Sequence, residues 1–404
     1  MSAEGPDATL KVGDPQVDDE FASLLAMPYP SFSDDEMDRR RNLLFDLTDR
    51  RDVDHVVAYG TGGRGGAVTW LSQWLVTNEA HLVMSHGEPD ALFVQYFNHV
   101  PLAQELVRDA KVAWGGIATI DATIGELGRR GAAHGRVGVI GPLPFAAARR
   151  LEAVVGPVVD LTTDYFGLRL VKSEEELRWF KLGARLADRA IDALAEQLRP
   201  GLSERDLVSI VESAYLRFGA VNGIHYFALN AMNAPQYCTP RQIPSTRLVG
   251  DGDVLSTEIT ANFFDYGGQV LRTYSVGADL SPLFRDLHDV ADEAYSRIAA
   301  RLRPGVHAAE LVDAANVIEE AGFTTLDDLV HGYGGGYLAP ILGSRSRPNE
   351  PVPDMVLRSG MLIVVQPNVV TLDHRAGVQT GECLVVADGG AQRLHRCALG
   401  AYRV

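Results

Sequence analysis

Cysteine is scarce in this sequence, and long apolar runs are absent. The three cysteines, Cys238, Cys383 and Cys397, lie far apart with no CxxC spacing, which excludes a zinc knuckle and a disulfide framework and fits a reducing cytoplasm. No apolar run approaches the ~20 residues that a membrane span requires. The polar, acidic N-terminus lacks the apolar core of a signal peptide. These absences predict a soluble, cytoplasmic protein without a membrane partner.

Positive charge is also in short supply. The 404 residues carry 37 basic and 53 acidic side chains, which gives a formal net charge of −16. This balance argues against a nucleic-acid surface. The hydrophobic content of 46% and the charged content of 22% are typical of a globular protein, and the length is sufficient for two domains.

The first part of the chain predicts a flexible extension followed by an α/β domain. Residues 1–30 are rich in Asp, Pro and Gly, as in poorly ordered termini. From residue 31 to 163, helical patterns alternate with apolar strand patterns, which is typical of an α/β domain. The helical patterns are DDEMDRRRNLLFDLTDRR (34–51), AVTWLSQWL (67–75) and PDALFVQYFNHVPLAQELVRDAK (89–111), and the strand patterns are DHVVAYG (54–60), HLVMSH (81–86) and VGVIG (137–141).

The glycine-rich segment GTGGRGGA (60–67) resembles a phosphate loop only superficially. It lacks the GK[ST] ending of such a loop, and its glycines do not fit the GxGxxG spacing of a dinucleotide-binding turn. We interpret it as a loop after a strand, and the sequence predicts no nucleotide cofactor.

A second domain is predicted from residue 168 to 404. It opens with a capping pattern, Ser173 followed by Glu176, and continues as a long amphipathic helix. Within it, QLRPGLSERDLVSIVESAYLRFG (197–219) matches RLRPGVHAAELVDAANVIEEAG (301–322). Each copy is followed by a histidine and a pair of strands. The repeat predicts a pseudo-twofold fold with a site where the two halves meet.

Several segments resemble the pita-bread family of creatinase, prolidase, aminopeptidase P and methionine aminopeptidase. These segments are LRLVKSEEEL (168–177), GDVLSTE (252–258), RTYSVG (272–277), HGYGGGYLAP (331–340), MLIVVQPN (361–368) and GVQTGECLVVADGG (377–390). The resemblance implies an α/β (α+β) fold, in which a creatinase-type amino-terminal α/β domain precedes a pseudo-twofold pita-bread domain with a curved antiparallel sheet. It also implies a homodimer.

The resemblance further implies a place for two divalent metal ions, which the family holds with two Asp, one His and two Glu. The corresponding positions here are Glu258, Gln269, His331, Gln366 and a position near Thr380, with Glu382 close by. Amide oxygens are weak substitutes for carboxylates around such ions. The sequence therefore predicts a dismantled metal site without a cofactor. A single weakly held ion on Glu258, His331 and Glu382 is the alternative.

The main functional prediction is a metal-independent hydrolase or lyase that cleaves a C–N or amide-type bond of a small carboxylate-bearing molecule. Creatinase is similar in lacking the metal set. His331 and Glu258 are the predicted acid–base pair. Arg272 is expected to clamp a substrate carboxylate, and Gln269 and Gln366 to orient an amide.

Each assignment has a structural alternative. Glu258 and Arg272 are also suited to a salt bridge with each other. His331 is also suited to bonding a backbone carbonyl, and Glu382 to ending a strand. The alternative for Gln269 and Gln366 is that they only fill space as polar side chains, without contact to a substrate.

Further substrate contacts are predicted from two other segments. Tyr333 precedes a run of glycines, although aromatic packing also explains it, and Leu338 stands where metal-using relatives have a second histidine. In GIHYFALNAMNAPQYCTPRQIPS (223–245), the position of the base in creatinase falls near Tyr237 or Cys238, and His225 is its possible replacement.

Two other functions remain open from the sequence. One is a metal-dependent peptidase of the Xaa-Pro aminopeptidase or prolidase type, which the glutamine replacements disfavour. The other is a noncatalytic protein that binds a small molecule or a partner in the retained pocket. Convergent titratable groups in that pocket favour an enzyme.

Overall fold

The computed structural model describes residues 18–62, 66–107, 109–349 and 351–404. The chain forms two compact units. The N-terminal unit consists of Ser31–Glu175 and Gly334–Ala339, and the C-terminal unit consists of Glu176–Tyr333, Pro340–Val404 and the described residues up to Pro30. The division thus falls after Glu175, whereas the sequence placed it between residues 163 and 168. Residues 1–17 of the predicted extension and 63–65 of the predicted glycine-rich loop lie outside the described residues.

The described part of the predicted extension is folded. It contains helix α1 (Asp19–Leu25), where Asp18 accepts a hydrogen bond from the Phe21 N–H. Phe21 and Leu24 are buried, and Asp18 also pairs with Arg396. Residues 18–25 are therefore held by apolar burial and an ion pair.

The N-terminal unit is built around a six-stranded sheet. Its helices are α2 (Asp34–Arg51), α3 (Ala67–Ser72), α4 (Val100–Leu106), α5 (Thr119–Arg129), α6 (Phe145–Val155) and α7 (Thr162–Leu168), with short 3₁₀ turns at Phe97–His99 and Ala132–His134. Its strands are β1 (His55–Thr61), β2 (Glu79–Ser85), β3 (Asp90–Val94), β4 (Ala110–Trp114), β5 (Val137–Ile140) and β6 (Val159–Asp160). The strand order is β4-β3-β2-β1-β5-β6.

Apolar strands explain the core of this unit. Val57, Val83 and Val139 from three strands pack with Leu127 of α5 and Leu151 of α6. Such runs of buried apolar residues are typical of strands covered by helices. The predicted strands at 54–60, 81–86 and 137–141 agree with β1, β2 and β5.

The helix predicted for residues 89–111 is wrong. The segment instead forms β3, a short helix and β4. β3 pairs with β2 and buries Leu92 and Val94, and Pro101 lies in the first turn of α4, a position where proline starts rather than continues a helix. Tertiary pairing thus overrides the helical spacing of its apolar residues.

The C-terminal unit contains a nine-stranded sheet and a separate hairpin. Its helices are α8 (Glu174–Gln197, which begins at the end of the N-terminal unit), α9 (Glu204–Leu216), α10 (Pro282–Arg301), α11 (Ala308–Ala314) and α12 (Val317–Glu320). Its strands are β7 (Val221–Ala231), β8 (Asp253–Phe263), β9 (Tyr266–Ser275), β10 (Val330–Tyr333), β11 (Tyr337–Leu342, whose first three residues belong to the N-terminal unit), β12 (Leu362–Val365), β13 (Asn368–Val370), β14 (Gly377–Gln379), β15 (Gly381–Val385), β16 (Gln392–Arg393) and β17 (Tyr402–Arg403).

The main path of the large sheet runs β11-β10-β12-β15-β9-β8-β7. β16 and β17 pair with β15 and β9, and β13 and β14 form the separate hairpin. Within the described residues, no helix combines the length and apolar character that a bilayer crossing requires.

Equivalent turns in the two halves support the internal repeat. Gly201 and Gly305 have φ values of 92° and 89°, and their N–H groups donate to Val249 and Leu357 carbonyls respectively. Gly252 and Gly360, with φ values of 78° and 83°, likewise donate to Val276 and Val386. Each pair lies at the same position in its half, and the left-handed conformation favours glycine at all four.

Candidate active site

The hairpin of β8 and β9 brings Glu258 and Gln269 to one face of the sheet. Thr260 pairs with Gln269 in the register, and Glu258 lies two residues before Thr260. Because side chains alternate along a strand, these three point to the same side. Gln269 Nε2 donates to Glu258 Oε1 at 2.8 Å and to Gln366 Oε1 at 2.8 Å.

The second half of the repeat contributes His331 and Gln366. His331 on β10 pairs with Val364 on β12, and Gln366 lies two residues after Val364, so both side chains share a face. We refer to Glu258, Gln269, His331 and Gln366 as the central polar cluster. All four are buried, with exposed fractions of 6% for Glu258 and 0% for the others.

The two titratable groups of the central polar cluster are both neutral near pH 7. Burial raises the pKa of Glu258 to about 8, with a further contribution from the charges of Asp327 and Asp328. Burial lowers the pKa of His331 to about 4. His331 Nδ1 lies 2.9 Å from the Gly332 carbonyl and donates to it, which leaves Nε2 as the acceptor of the neutral ring.

Arg272 does not reach the central polar cluster. It lies three residues after Gln269 on the same strand and therefore points to the opposite face of the sheet. Its Nε donates to Ala398, its Nη1 to the Leu271 and Gly381 carbonyls, and its Nη2 to Glu382 Oε2 and Cys397 Sγ. All five donors are engaged, so the predicted clamp on a substrate carboxylate has no donor left.

Glu382 belongs to the same buried network. Its Oε2 accepts from Arg272 Nη2 at 2.6 Å and its Oε1 from the Tyr295 hydroxyl at 3.1 Å, and Arg393 pairs with it. Although burial opposes its ionisation, Arg393, His395 and Arg272 hold the pKa of Glu382 below its ordinary value. The charge of Glu382 is thus balanced by Arg272 and Arg393 outside the central polar cluster. This position differs from the predicted one, in which Glu382 contacts the substrate.

Two further residues predicted to contact the substrate, Tyr333 and His225, differ in their position relative to the central polar cluster. Tyr333 lies two residues after His331 on β10, with a ring separation of 6.2 Å, so it flanks the cluster. His225 lies on β7 opposite Ile259, and therefore on the other face from Glu258, with its Nδ1 3.0 Å from Glu212 Oε1.

The surroundings of Tyr237 and Cys238 indicate a role in packing rather than in substrate binding or catalysis. The Arg241 guanidinium lies 4.4 Å above the centre of the Tyr237 ring. Cys238 is buried, and burial raises the pKa of its thiol. A raised pKa disfavours the thiolate that a cysteine nucleophile requires.

Two functional candidates, Asp327 and Gln379, were missed from the sequence. Asp327 Oδ2 accepts from Gln379 Nε2 at 3.0 Å, burial raises the pKa of Asp327, and its charge acts on Glu258. For Asp327 the sequence did contain an indication, because an acidic pair lies just before His331 in TLDDLVHGYG (325–334). Its proximity to Glu258 depends on the contact between the two halves.

Acceptor atoms without a partner surround this region. Among the described residues, Thr260 Oγ1, Gln269 Oε1 and Gln379 Oε1 are buried and form no hydrogen bond. Buried polar atoms are nearly always bonded in native proteins. These three atoms therefore mark a place for a polar ligand or for water.

The donor set does not fit the pair of divalent ions that the resemblance implies. Two of the four cluster positions are amides, and Glu258 is neutral near pH 7, whereas hard divalent ions prefer charged carboxylates. The alternative single-ion set is not assembled either, because Glu382 faces Arg272. In the described part of the chain, the group of three donor residues close enough to share an ion is Asp188, His395 and Cys397, outside the central polar cluster.

Comparison with known proteins identifies the family. The model of metallopeptidase family M24 matches residues 178–388. An Xaa-Pro dipeptidase from Pyrococcus horikoshii is 26% identical over 230 residues, which cover 56% of this chain and 63% of that protein. The match therefore spans less than two thirds of that relative's length.

Solved structures share the fold. The prolidase from Pyrococcus horikoshii OT3 superposes with a TM-score of 0.76 at 20% identity, covering 90% of this chain and 99% of that one. The recombinant prolidase from Thermococcus sibiricus gives a TM-score of 0.79 at 17% identity, covering 92% and 100%. The predicted fold class, including the curved antiparallel sheet of the pita-bread fold, is confirmed.

These findings contradict the prediction of a creatinase-like, metal-independent hydrolase. The matching family is one of metallopeptidases, and the similar proteins are Xaa-Pro dipeptidases and prolidases. The peptidase alternative agrees better with them. Because the family model matches just over half of the 404 residues, the chain belongs to metallopeptidase family M24, within the creatinase, aminopeptidase P and prolidase group.

Proposed function

We propose that this chain is a prolidase-like hydrolase that acts on the C–N bond of a short peptide. The family match over residues 178–388 supports a peptidase, and the similar proteins bear the name Xaa-Pro dipeptidase. The observation that carries the proposal is the central polar cluster itself, which is buried, uncharged near pH 7 and bordered by acceptors without partners.

The chemistry of the central polar cluster suits a peptide group. A peptide bond presents a carbonyl acceptor and, when its nitrogen carries hydrogen, a donor, and it carries no net charge. Protonated Glu258 supplies an O–H donor, while Thr260 Oγ1 and Gln269 Oε1 are available as acceptors. Burying a neutral, hydrogen-bonded group costs far less free energy than burying an ion.

The residues of this chain have distinct roles in the proposal. Protonated Glu258 donates a hydrogen bond to the peptide carbonyl, and the neutral His331 ring accepts one at Nε2 from the water that hydrolysis consumes. Gln269 fixes the carboxyl of Glu258 through its Nε2. No step is assigned to a metal ion, because the donors at these positions do not fit the family's pair.

A direct assay tests the proposal. The purified protein is incubated with a panel of Xaa-Pro dipeptides, and released proline is measured by chromatography, once with added Mn²⁺ and once with a chelator. We expect proline release in at least one of the two buffers. Glu258→Gln is expected to lower the rate by about 10²-fold or more, as loss of a general acid or base does.

The matched control is Glu293→Gln on α10, since Glu293 is half-exposed and pairs with Arg297 on the surface. It should retain the parental rate. Absence of proline release in both buffers from a folded protein would overturn the proposal. Equal loss in both variants would remove Glu258 from the reaction.

A second candidate function is noncatalytic binding of a peptide. It is favoured by the hydrogen bonds within the central polar cluster. Gln269 Nε2 donates both of its hydrogens to Glu258 and Gln366 and has none left for a reacting group. In that case an Xaa-Pro dipeptide would raise the melting temperature of the protein without being cleaved.

A further inference from the structure

A polar cavity of about 580 Å³ lies within the N-terminal unit. Its walls are formed by residues within 48–55, 85–88 and 130–135. It therefore lies where α2 and α5 end, beside the start of β1 and the end of β2. Sites for small molecules in proteins typically have volumes of ~300–1,000 Å³. This space, which we call the N-terminal cavity, is thus large enough for a small organic ligand.

A buried polar floor fixes one hydrogen-bond donor of the N-terminal cavity. The Arg130 side chain is 1% exposed, with its Nε donating to Glu126 at 2.8 Å and its Nη1 to Ser85 Oγ at 3.1 Å. Ser85 Oγ lies 2.8 Å from His55 Nδ1. Among the described residues the Ser85 hydroxyl has no other acceptor, so it donates to Nδ1. Because burial lowers the pKa of His55, the ring is neutral near pH 7 and carries its hydrogen on Nε2.

Gly135 leaves space between this donor and a carboxylate. A Cβ added at Gly135 would lie 3.2 Å from His55 Nε2 and 3.0 Å from Asp54 Oδ2. The φ of Gly135 is −121°, a conformation that residues with side chains adopt freely, so the backbone does not require glycine there. The missing side chain instead keeps Nε2 and Oδ2 within reach of one ligand.

Two of the carboxylates around the N-terminal cavity are balanced by arginine. Asp52 pairs with Arg136 at 2.8 Å, and Glu88 pairs with Arg129 at 3.0 Å. These pairs are exposed to solvent, where ion pairs contribute little to stability. They do reduce the negative charge that Asp52 and Glu88 present to a ligand.

Asp49 and Asp54 keep their negative charge available. Within the described residues neither forms an ion pair with lysine or arginine; Asp49 lies 3.1 Å from His86 Nε2, and Asp54 accepts from the Arg136 backbone N–H at 2.8 Å. In addition, α2 and α5 both end at the cavity. The carboxyl end of a helix carries a partial negative charge that favours cations. The N-terminal cavity is therefore a site for positive charge.

We propose that the N-terminal cavity binds a small organic cation that also carries a hydrogen-bond acceptor. Its ammonium or guanidinium groups lie against Asp49 and Asp54, and its acceptor takes the hydrogen of His55 Nε2. A carboxylate is a stronger acceptor than a neutral group, and basic amino acids combine it with two cationic groups. A metal ion fits less well, because in the described part of the chain no three donor side chains of the cavity lie close enough to share one.

This inference goes beyond the proposed function and does not rest on it. The residues of the N-terminal cavity belong to the N-terminal unit, whereas the central polar cluster belongs to the C-terminal unit. A protein that cleaves no peptide would still bind the cation, and a peptidase without this site would still release proline.

Isothermal titration calorimetry with L-arginine tests the proposal, at about 0.1 M NaCl so that attraction to distant surface charges is screened. L-Citrulline has nearly the same size and a neutral side chain, and agmatine lacks the carboxylate. We expect L-arginine to bind at least about tenfold more tightly than L-citrulline, as charged hydrogen bonds imply, and more tightly than agmatine. Equal affinity for L-arginine and L-citrulline would overturn the proposal, as would absence of binding by both L-arginine and agmatine. Agmatine that binds as tightly as L-arginine would overturn the role of His55.

Two substitutions locate the bound cation. Asp54→Asn, which removes a charge and keeps the shape, should weaken L-arginine binding at least about tenfold. Gly135→Ala should weaken it by filling the space between Asp54 and His55. The controls are Asp38→Asn, at an exposed position of α2 outside the cavity, and Gly128→Ala on α5, where an added Cβ meets no atom within 4 Å.

Both control variants should retain the parental affinity. An equal loss in Asp38→Asn and Asp54→Asn would mean that L-arginine is attracted by the acidic surface in general, and would overturn the site. Circular dichroism establishes that each variant is folded. If Gly135→Ala does not fold, the comparison of the two Asp→Asn variants still decides.

Discussion

At the residue scale, the proton on Glu258 couples the site to stability. Its pKa is about 8 in the folded protein and close to the ordinary 4.5 when exposed. Between these values the folded state binds one more proton than the unfolded state, so the free energy of unfolding falls as pH rises, by about 1.4 kcal/mol per pH unit. Glu258→Gln has no such proton, and its stability relative to the parent should increase from pH 5 to pH 8 and then level off.

Urea unfolding at pH 5, 6.5 and 8 measures this difference. Glu293→Gln is again the control, since its exposed carboxyl should give a profile parallel to that of the parent. If the Glu258→Gln and parent profiles are also parallel, the carboxyl of Glu258 is ionised in the folded protein.

Arg272 provides a second prediction at this scale. Its side chain and that of Glu382 are both 0% exposed, and all five donors are bonded within the protein. Arg272→Met should therefore lower the free energy of unfolding by about 3 kcal/mol, because it leaves a buried carboxylate with fewer partners. The exposed Arg285→Met should change it by less than about 0.5 kcal/mol. A loss of peptide affinity with unchanged stability would instead indicate a substrate clamp.

The residues of the central polar cluster could be predicted from their positions in the sequence. The resemblance located Glu258, Gln269, His331 and Gln366, and these side chains do lie together. Strand alternation alone would have separated Gln269 from Arg272, since they are three residues apart on one strand. The burial that keeps Glu258 protonated and the approach of Asp327 depend on tertiary contacts between segments about 70 residues apart, which no local pattern contains.

At the element scale, Gly381 links two central strands of the large sheet. It has φ of 150°, and a Cβ there would lie 2.0 Å from the Val365 carbonyl oxygen and 2.8 Å from Gln366 Cα. The backbone of β15 thus approaches the end of β12, next to the central polar cluster. Gly381→Ala should lower the free energy of unfolding by about 3 kcal/mol through strain and displaced backbone.

Gly389 is the matched control for this substitution. An added Cβ at Gly389 meets no atom within 4 Å, so Gly389→Ala should alter the free energy of unfolding by less than about 0.5 kcal/mol. Equal stability of the two alanine variants in thermal and urea unfolding would show that β15 can withdraw from β12 at little cost.

Element prediction succeeded where local pattern and tertiary pairing agree. The helix predicted at 34–51 matches α2, and the strands predicted at 54–60, 81–86 and 137–141 match β1, β2 and β5. The 89–111 segment failed because its strands are stabilised by neighbours distant along the chain, whereas its spacing resembles a helix. The positive φ at Gly381 could not be predicted from the local sequence either, since glycine adopts positive and negative φ values about equally readily.

At the scale of the whole molecule, the repeat explains how segments distant along the chain form one site. Both halves have the same glycine turns, and these turns hold β8, which carries Glu258, and β12, which ends just before Gln366. The frame is thus fixed by backbone hydrogen bonds that do not depend on the side chains at the site. A change of side chain at Gln269 or Gln366 would therefore alter the charge of the central polar cluster without moving these turns.

The net charge of −16 gives the last prediction, on how salt affects stability. A net charge far from zero destabilises the compact state, because like charges on the folded surface repel each other. Added salt screens this repulsion, since the Debye length shortens from ~30 Å at 0.01 M to ~10 Å at 0.1 M ionic strength. The melting temperature at pH 7 should therefore rise as NaCl increases from about 10 mM to about 300 mM, as measured by circular dichroism. A melting temperature that falls with added salt would show that attractive ion pairs on the surface outweigh the net repulsion.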